Sequence, residues 1–506
     1  DAQPGHSQSA PRGAALHPPR RRGAGRGGLP RWRATGRDPM AHSSPPTLQF
    51  LGAAGGVTGS KFLFSYNSDQ VLIDCGLFQG LKELRVRNWT PLPIDLALVR
   101  SVVLTHAHID HSGYLPRVVA KGYRGPVYAT PGTCDLLRVM LPDAAHLQEE
   151  EARYANRKGY SKHSPALPLY TLEDAESTLR LLRPVRVGER IEVAKGVVLD
   201  FSRVGHILGA GSVRFSFEIN GQKKTLIDSG DLGRYDRPIL KDPEPGGSAD
   251  WLMIESTYGD RIHPKDSEAA LRALIKETAE QRRCLIIPAF AIGRTQDLVY
   301  TIRKMEEDGA IPAIPVYVDS PMGIEATEIY SRHTEEHDFE MSQLSNHERN
   351  PLRSRHMIVA KSPEQSKAIN NAKGAMIIIS ASGMATGGRV LHHLKHRLPN
   401  PDTTVLLAGY QAEGTRGRSL QDGAKEVKML GEIIPVRAQI KVLDGFSAHA
   451  DQGEILRWLG TFTRPPKMTY IVHGEKAGAT ALADVIRERL KWNVQIAKFQ
   501  EKVILA

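Results

Sequence analysis

The sequence predicts an α/β protein, and three observations carry that prediction. From residue 47 onward, short β-like runs alternate with Gly and Asp turns. Beyond Glu255, helix-like and strand-like segments alternate, the pattern of an α/β unit with a parallel sheet. Directly after one of the early apolar runs stands Thr105-His-Ala-His-Ile-Asp-His-Ser-Gly, three imidazoles and a carboxylate within six residues.

A chain of 506 residues has room for two or three domains. Its 41% hydrophobic and 24% charged residues suit an ordinary globular chain, and no run of about 18 apolar residues offers a membrane span, so no membrane partner is expected. Residues 1–45 differ: rich in Arg, Pro and Gly, they cannot bury enough surface to offset their ordering entropy, and a disordered extension is expected there. Because Met40 follows the basic stretch, a disordered tail, a transit-like segment and translated upstream sequence all remain open. Within residues 1–39, eight arginines stand against Asp1 and Asp38, which accounts for six of the net +11 charges and leaves +5 for the body. That excess is compatible with a polyanionic substrate without requiring one. The three cysteines, Cys75, Cys134 and Cys284, form no CxxC, so neither a disulfide framework nor a thiolate metal site is indicated and a reducing cytoplasm is the natural setting.

Taken in order, the β-like runs are Leu48-Gln-Phe-Leu-Gly, Lys61-Phe-Leu-Phe-Ser, Gln70-Val-Leu-Ile-Asp and Ser101-Val-Val-Leu-Thr. Each ends where a polar residue emerges from a sheet edge. Residues 134–183 read as predominantly helical, with Gln148-Glu-Glu-Glu as a solvated face. Strands resume at Val197-Val-Leu-Asp-Phe, Val213-Arg-Phe-Ser-Phe-Glu-Ile and Lys224-Thr-Leu-Ile-Asp. The alternating part follows: helices over Leu271–Gln281 and Thr295–Glu307, strands at Cys284-Leu-Ile-Ile-Pro, Val316-Tyr-Val-Asp, Ala375-Met-Ile-Ile-Ile-Ser and Thr404-Val-Leu-Leu-Ala. An amphipathic helix near Ala479–Lys491 and a strand near Val494–Phe499 close the chain.

Neutral imidazole and carboxylate are ligands suited to zinc, and alternate side chains in a turn face two centres, His106 and His108 one ion, Asp110 and His111 the other. A catalytic zinc needs further ligands while keeping a position for water, and His206, Asp231 and His473 each follow an apolar run.

The order Asp74, His106-x-His108-x-Asp110-His111, His206, Asp231 resembles the signature of the metallo-β-lactamase superfamily. Glu255-Ser-Thr-Tyr-Gly, Phe446-Ser-Ala-His449 and His473-Gly-Glu look like motifs A, B and C of its β-CASP nucleases. Pro288-Ala-Phe-Ala-Ile-Gly-Arg, Asp319-Ser-Pro-Met, Ser382-Gly-Met and Gly409-Tyr-Gln-Ala-Glu-Gly-Thr also look like family segments, so the resemblance spans about residues 47–506. It implies an αββα metallo-β-lactamase sandwich with an inserted α/β β-CASP domain. The divisions expected are 46–256 and 441–506 for the sandwich and 257–440 for the insertion. It further implies two zinc ions, one on His106, His108 and His206, the other on Asp110, His111 and His473, with Asp231 bridging and Asp74 behind the ligands. A carboxylate there accepts the second ring N–H of a ligand histidine and fixes its tautomer.

Such a pair of ions acidifies a shared water and neutralises phosphoryl charge, which makes phosphodiester hydrolysis the natural chemistry. The resemblance casts His449 as the acid that protonates the leaving oxygen, oriented by Glu255. Within Ser380-Ala-Ser-Gly-Met-Ala-Thr-Gly-Gly-Arg, Ser382 and Gly383 either present backbone N–H groups to phosphates or merely form a tight connection. Arg294 and Arg389 are candidate phosphate contacts, a surface role being the alternative for each. His163, His337, His393 and His396 lack carboxylate partners and strand-end context and are given no chemistry. The expected function is a zinc-dependent ribonuclease acting on single-stranded RNA, possible as a homodimer. RNA is favoured over DNA because DNA-processing members of the resembled family usually lack a histidine at motif C, where His473 stands. A hydrolase of lactams, lactones or esters and a catalytically silent binding subunit are the alternatives.

Overall fold

The computed structural model describes residues 45–159, 163–347 and 351–506, with the backbone alone at 346 and 347. The extension expected over residues 1–45 lies outside them, save Pro45. The early β-like runs become the strands Thr47–Phe50, Phe62–Tyr66, Asp69–Ile73 and Val99–Val103. With Lys502–Ile504 at one edge and Val127–Ala129 and Leu182–Pro184 at the other, they form a seven-stranded sheet. A second seven-stranded sheet runs, edge to edge, through Val494–Ile496, Met468–Val472, Trp251–Glu255, Gln222–Asp228, Gly211–Ile219, Val197–Arg203 and Ile191–Ala194.

Strand alternation decides how these sheets pack, because successive side chains leave opposite faces. Phe50, Phe62, Phe64, Val71 and Ile73 of the first sheet share one buried cluster with Phe215, Phe217, Leu226, Trp251 and Tyr470 of the second. Ring contacts cross the seam, Phe64 to Phe217 at 5.0 Å and Phe50 to Tyr470 at 5.4 Å. The neighbours facing the other way, such as Leu63, Leu72 and Val102 or Leu252 and Ile254, are buried together with helix residues including Leu136, Leu137, Ile455, Trp458 and Leu482. The layers are therefore helix, sheet, sheet, helix.

A third sheet takes its strands from the alternating part of the sequence. Its order is Met357–Val359, Val316–Asp319, Met376–Ala381, Cys284–Ala289, Thr403–Leu407, Gln439–Val442. Every pairing is parallel. Both faces are covered, since alternate residues of Cys284–Ala289 and Met376–Ala381 enter two separate apolar clusters. That double burial explains the unbroken apolar run Met376-Ile-Ile-Ile. This sheet is an excursion from the sandwich, because Trp251–Glu255 pairs directly with Met468–Val472.

The segment read as helical over 134–183 resolves into the helices Pro131–Lys158 and Leu172–Leu179, then a strand. Gln148 and Glu149 are not merely solvated, since their side chains accept the backbone N–H groups of Leu169 and Leu172 at 3.2 and 2.9 Å. No helix among the described residues is long and apolar enough to cross a membrane.

Candidate metal centre and active site

The His/Asp loop leaves the buried strand Val99–Val103 and is fastened to its surroundings through backbone bonds. Ser60 N–H donates to the Asp110 carbonyl at 2.8 Å, Cys75 N–H to that of His111 at 2.7 Å, and Leu77 N–H to that of Ile109 at 3.0 Å. Gly76 permits this approach, for a Cβ there would sit 1.5 Å from the Asp110 carbonyl oxygen. Asp74 and His473 both hold left-handed φ angles, 55° and 48°, which short polar side chains and histidine tolerate better than most. The His473 turn is tied by its N–H to Ala53 O at 2.7 Å and by its carbonyl to Ser256 N at 3.1 Å.

Six of the expected ligands converge with Asp231 at their middle. His108 Nδ1 lies 3.1 Å from His106 Nε2 and 3.2 Å from His206 Nε2. Asp231 Oδ2 is 3.4 Å from His106 Nε2 and 3.6 Å from His206 Nε2. On the other side of the carboxylate, Asp231 Oδ1 is 3.3 Å from His111 Nε2, which is 3.1 Å from His473 Nε2. Asp110 Oδ2 completes this side, 3.5 Å from His473 Nε2. Donors held tetrahedrally about a cation by bonds of about 2.0–2.1 Å stand roughly 3.3–3.4 Å apart, so this set fits zinc.

The electrostatics agree with that fit. Burial and then the neighbouring His111 hold His106 well below the usual imidazole range, and burial drives His108 down to about 4. Burial and the nearby His449 lower His206 in the same way. Burial opposes the charge on Asp231, but the imidazoles of His111, His473 and His449 outweigh it and keep the carboxylate ionised. Its Oδ1 accepts no hydrogen bond although fully enclosed. His111 differs: burial works against its protonation, but Asp231 and Asp74 raise it well above the usual imidazole range. The three lowered imidazoles of His106, His108 and His206, turned on one another beside an under-bonded carboxylate, form a site suited to a cation.

Behind the cluster, His111 Nδ1 bonds to Asp74 Oδ2 at 2.7 Å. Two hydroxyls that sequence reasoning did not single out share this supporting role. Thr105 Oγ1 lies 3.1 Å from His106 Nδ1 and 2.9 Å from Asp74 Oδ2. Thr257 Oγ1 lies 3.1 Å from His473 Nδ1. Hydroxyl residues are common in turns, so the sole signal for either was its place beside a strand-end histidine or glutamate.

Glu255 and His449 meet at the open side. His449 Nδ1 lies 3.1 and 3.2 Å from the two Glu255 oxygens, which also accept the N–H groups of Leu232 at 2.7 Å and Thr257 at 3.3 Å. His449 Nε2 is 3.8 Å from Asp231 Oδ2. Burial works against its protonation, yet Glu255 and Asp231 raise the imidazole to about 9.

The remaining candidates are placed differently. Gly383 packs under the ring of Phe290, where a Cβ would meet Cδ2 at 2.7 Å. The Ser382 hydroxyl serves its own loop, accepting Thr386 N–H at 3.2 Å. Arg389 is committed within the inserted sheet, its Nη1 to Asp319 Oδ1 at 2.7 Å and Ala360 O at 2.9 Å, its Nη2 to Lys361 O at 3.1 Å. Arg294 is no surface residue: it is buried, with Nε and Nη1 unpartnered. The expectation that His393 lacks a carboxylate fails, because its Nε2 lies 2.7 Å from Asp319 Oδ2 on a neighbouring strand. His337 instead bonds to the Tyr330 carbonyl at 2.8 Å.

A buried His/Asp cluster at the rim of an αββα sandwich defines a metal-dependent hydrolase. Family models match in the same order: a beta-lactamase superfamily domain over residues 69–286, a Beta-Casp domain over 295–420, and a Zn-dependent metallo-hydrolase RNA specificity domain over 433–497. Ribonuclease TTHA0252 of Thermus thermophilus is 37% identical over 90% of this chain and 98% of its own. Transcription termination factor FttA of Methanosarcina mazei is 31% identical over 87% and 69%, and an RNase J-like protein of Methanocaldococcus jannaschii 30% identical over 88% and 96%. A solved protein of unknown function from Enterococcus faecalis, 14% identical with a TM-score of 0.50, covers 91% of this chain and all of its own, and shares the fold alone. The chain belongs to the β-CASP family of metallo-β-lactamase-fold hydrolases.

Proposed function

We propose that this protein is a ribonuclease hydrolysing phosphodiester bonds of single-stranded RNA, with two zinc ions divided between the two sides of Asp231. One would be held by His106, His108 and His206, the other by Asp110, His111 and His473. Bound there, zinc would supply an acidified water and neutralise phosphoryl charge. The observation that carries the reading is a partly buried acid beside the cluster: His449, protonated through Glu255, with Nε2 3.8 Å from Asp231 Oδ2. A departing ribose oxygen needs a proton, and His449 is the group beside the cluster that can give it.

In this reading His449 Nε2 gives its proton to the leaving oxygen, Glu255 balances the imidazolium, and the proton lost by the attacking water restores His449 through solvent. Asp74 fixes the His111 ring, while Thr105 and Thr257 fix His106 and His473. The buried guanidinium of Arg294 keeps two unpartnered donors, Nε and Nη1, which this reading gives to a phosphate, and Ser382 and Gly383 shape the loop that seats Phe290. Arg389 braces the inserted sheet through Asp319 and Ala360. We divide the chain into 46–256 and 441–506 for the sandwich and 257–440 for the insertion, whose Phe290 ring lies against His108 and limits entry to an unpaired strand. A cytoplasmic homodimer completes the proposal. The lactam alternative loses its support, since the relatives are named as ribonucleases and a termination factor.

The test is to incubate the zinc-loaded protein with end-labelled single-stranded RNA, matched DNA and a chromogenic lactam, beside an Asp110→Ala control. RNA cleavage lost in the control is the expected result; lactam or ester turnover without RNA cleavage overturns the proposal. Sedimentation checks the homodimer.

A further inference from the structure

Phe290 directly follows the fully buried strand Cys284–Ala289, yet the residue is 37% exposed. The turn that presents it is rigid. The Phe290 carbonyl accepts both Thr295 N–H at 3.1 Å and Thr295 Oγ1–H at 2.8 Å. Gln296 then closes the turn, accepting Gly293 N–H at 2.7 Å and donating to Ala291 O at 3.1 Å. The ring is seated on Gly383, which has no side chain to displace it. Its centroid stands 5.9 Å from that of His108, at 47° to it.

An apolar ring kept partly in water beside a polar centre gains by being covered. What covers it must reach the cluster at the same time, so it belongs to the substrate. Unpaired nucleobases stack on aromatic faces, and this recognition is tolerant of base identity because every base has a π face.

We infer that Phe290 is a stacking platform for the nucleobase next to the scissile phosphate, a base subsite built into the inserted domain. The inference rests on the ribonuclease reading and deepens it. Phe290 holds the strand by a base while the cluster engages the adjoining phosphate, which gives an enzyme that demands an unpaired nucleotide at one position and is indifferent to its sequence.

The test pairs Phe290→Ala, Phe290→Leu and Phe290→Tyr with RNA carrying a single abasic nucleotide moved through the cleavage site. Metal content and melting temperature equal to wild type establish that each variant is folded and loaded. At one position the abasic substrate should raise the wild-type KM by about 10-fold, and Phe290→Ala should raise it equally on intact RNA. The two losses combined should be no larger than either alone, with Phe290→Tyr close to wild type and Phe290→Leu close to Phe290→Ala. Losses that multiply at every position, a Phe290→Leu enzyme as good as wild type, or an unaffected Phe290→Ala enzyme would overturn the stacking role while leaving the ribonuclease standing. A wild-type protein that cuts no RNA removes both.

Discussion

A cluster of histidine and aspartate at the rim of the sandwich and another in the inserted sheet differ in whether their hydrogen bonds close. In the inserted sheet, Asp319 Oδ1 is met by Arg389, and its Oδ2 by His393 at 2.7 Å and the Ser366 hydroxyl at 2.5 Å. The far nitrogen of His393 is taken by Asn370 Oδ1 at 2.8 Å. Around Asp231, several imidazole nitrogens face one another and a carboxylate oxygen has no donor. A polar cluster satisfied by its own members specifies structure; one whose imidazole nitrogens face each other beside an undonated carboxylate oxygen is arranged for a cation from outside.

Removing Asp231 is the most severe way to test this contrast, since its carboxylate stands between both ligand sets. Asp231→Ala should lower bound zinc and reduce RNA hydrolysis by more than the roughly 10⁴-fold attributable to a lone general acid, measured by metal analysis and single-turnover cleavage. Full zinc content in that variant would contradict the reading of the cluster.

His449→Ala should cost about 10²- to 10⁴-fold in turnover while zinc content stays at the wild-type level. The acid works only while protonated, so with His449 raised to about 9, turnover holds below that pH and falls as pH rises through it. Glu255→Gln removes the charge that raises the imidazole and should move this alkaline limb to lower pH. A pH–rate profile unchanged by Glu255→Gln would detach Glu255 from the acid.

How much of this could be read in the sequence depends on where each partner lies along the chain. His106, His108, Asp110 and His111 were legible because one turn holds them all, and Asp74, His206, Asp231 and His473 because each follows an apolar strand. The α/β class and the parallel inserted sheet were legible from periodicity. The Asp319–His393 contact was not, since its residues stand 74 positions apart and meet only when the sheet forms. Nor was the burial of Arg294, which the packing of Gly409 against its guanidinium decides. Phe290 lay within a recognised segment, but nothing local shows that its ring emerges beside His108.

The closed cluster offers the complementary prediction. Asp319→Ala strips a buried histidine and a partly buried arginine of their shared acceptor, a change that should cost about 3 kcal/mol of stability in denaturant unfolding. Zinc bound per folded molecule should not change. A stable Asp319→Ala protein that loses zinc would place this cluster among the functional ones and erase the distinction drawn from hydrogen-bond closure.

The mildest test lies between the two extremes, at Asp74, which the proposed function sets behind a ligand and not on the cation. Its Oδ2 takes His111 Nδ1 at 2.7 Å, and its Oδ1 takes the backbone N–H of Thr105 at 2.8 Å, so it joins the ligand ring to the strand end. Asp74→Asn keeps the shape and the acceptor oxygen but loses the charge that makes His111 a better donor to a cation. Zinc affinity should fall about 10- to 100-fold, read by competition with a chelating dye. Because the ligands themselves remain, activity should return when zinc is raised in proportion, which Asp231→Ala would not allow. Recovery by added zinc therefore separates a residue that orients a ligand from one that is a ligand.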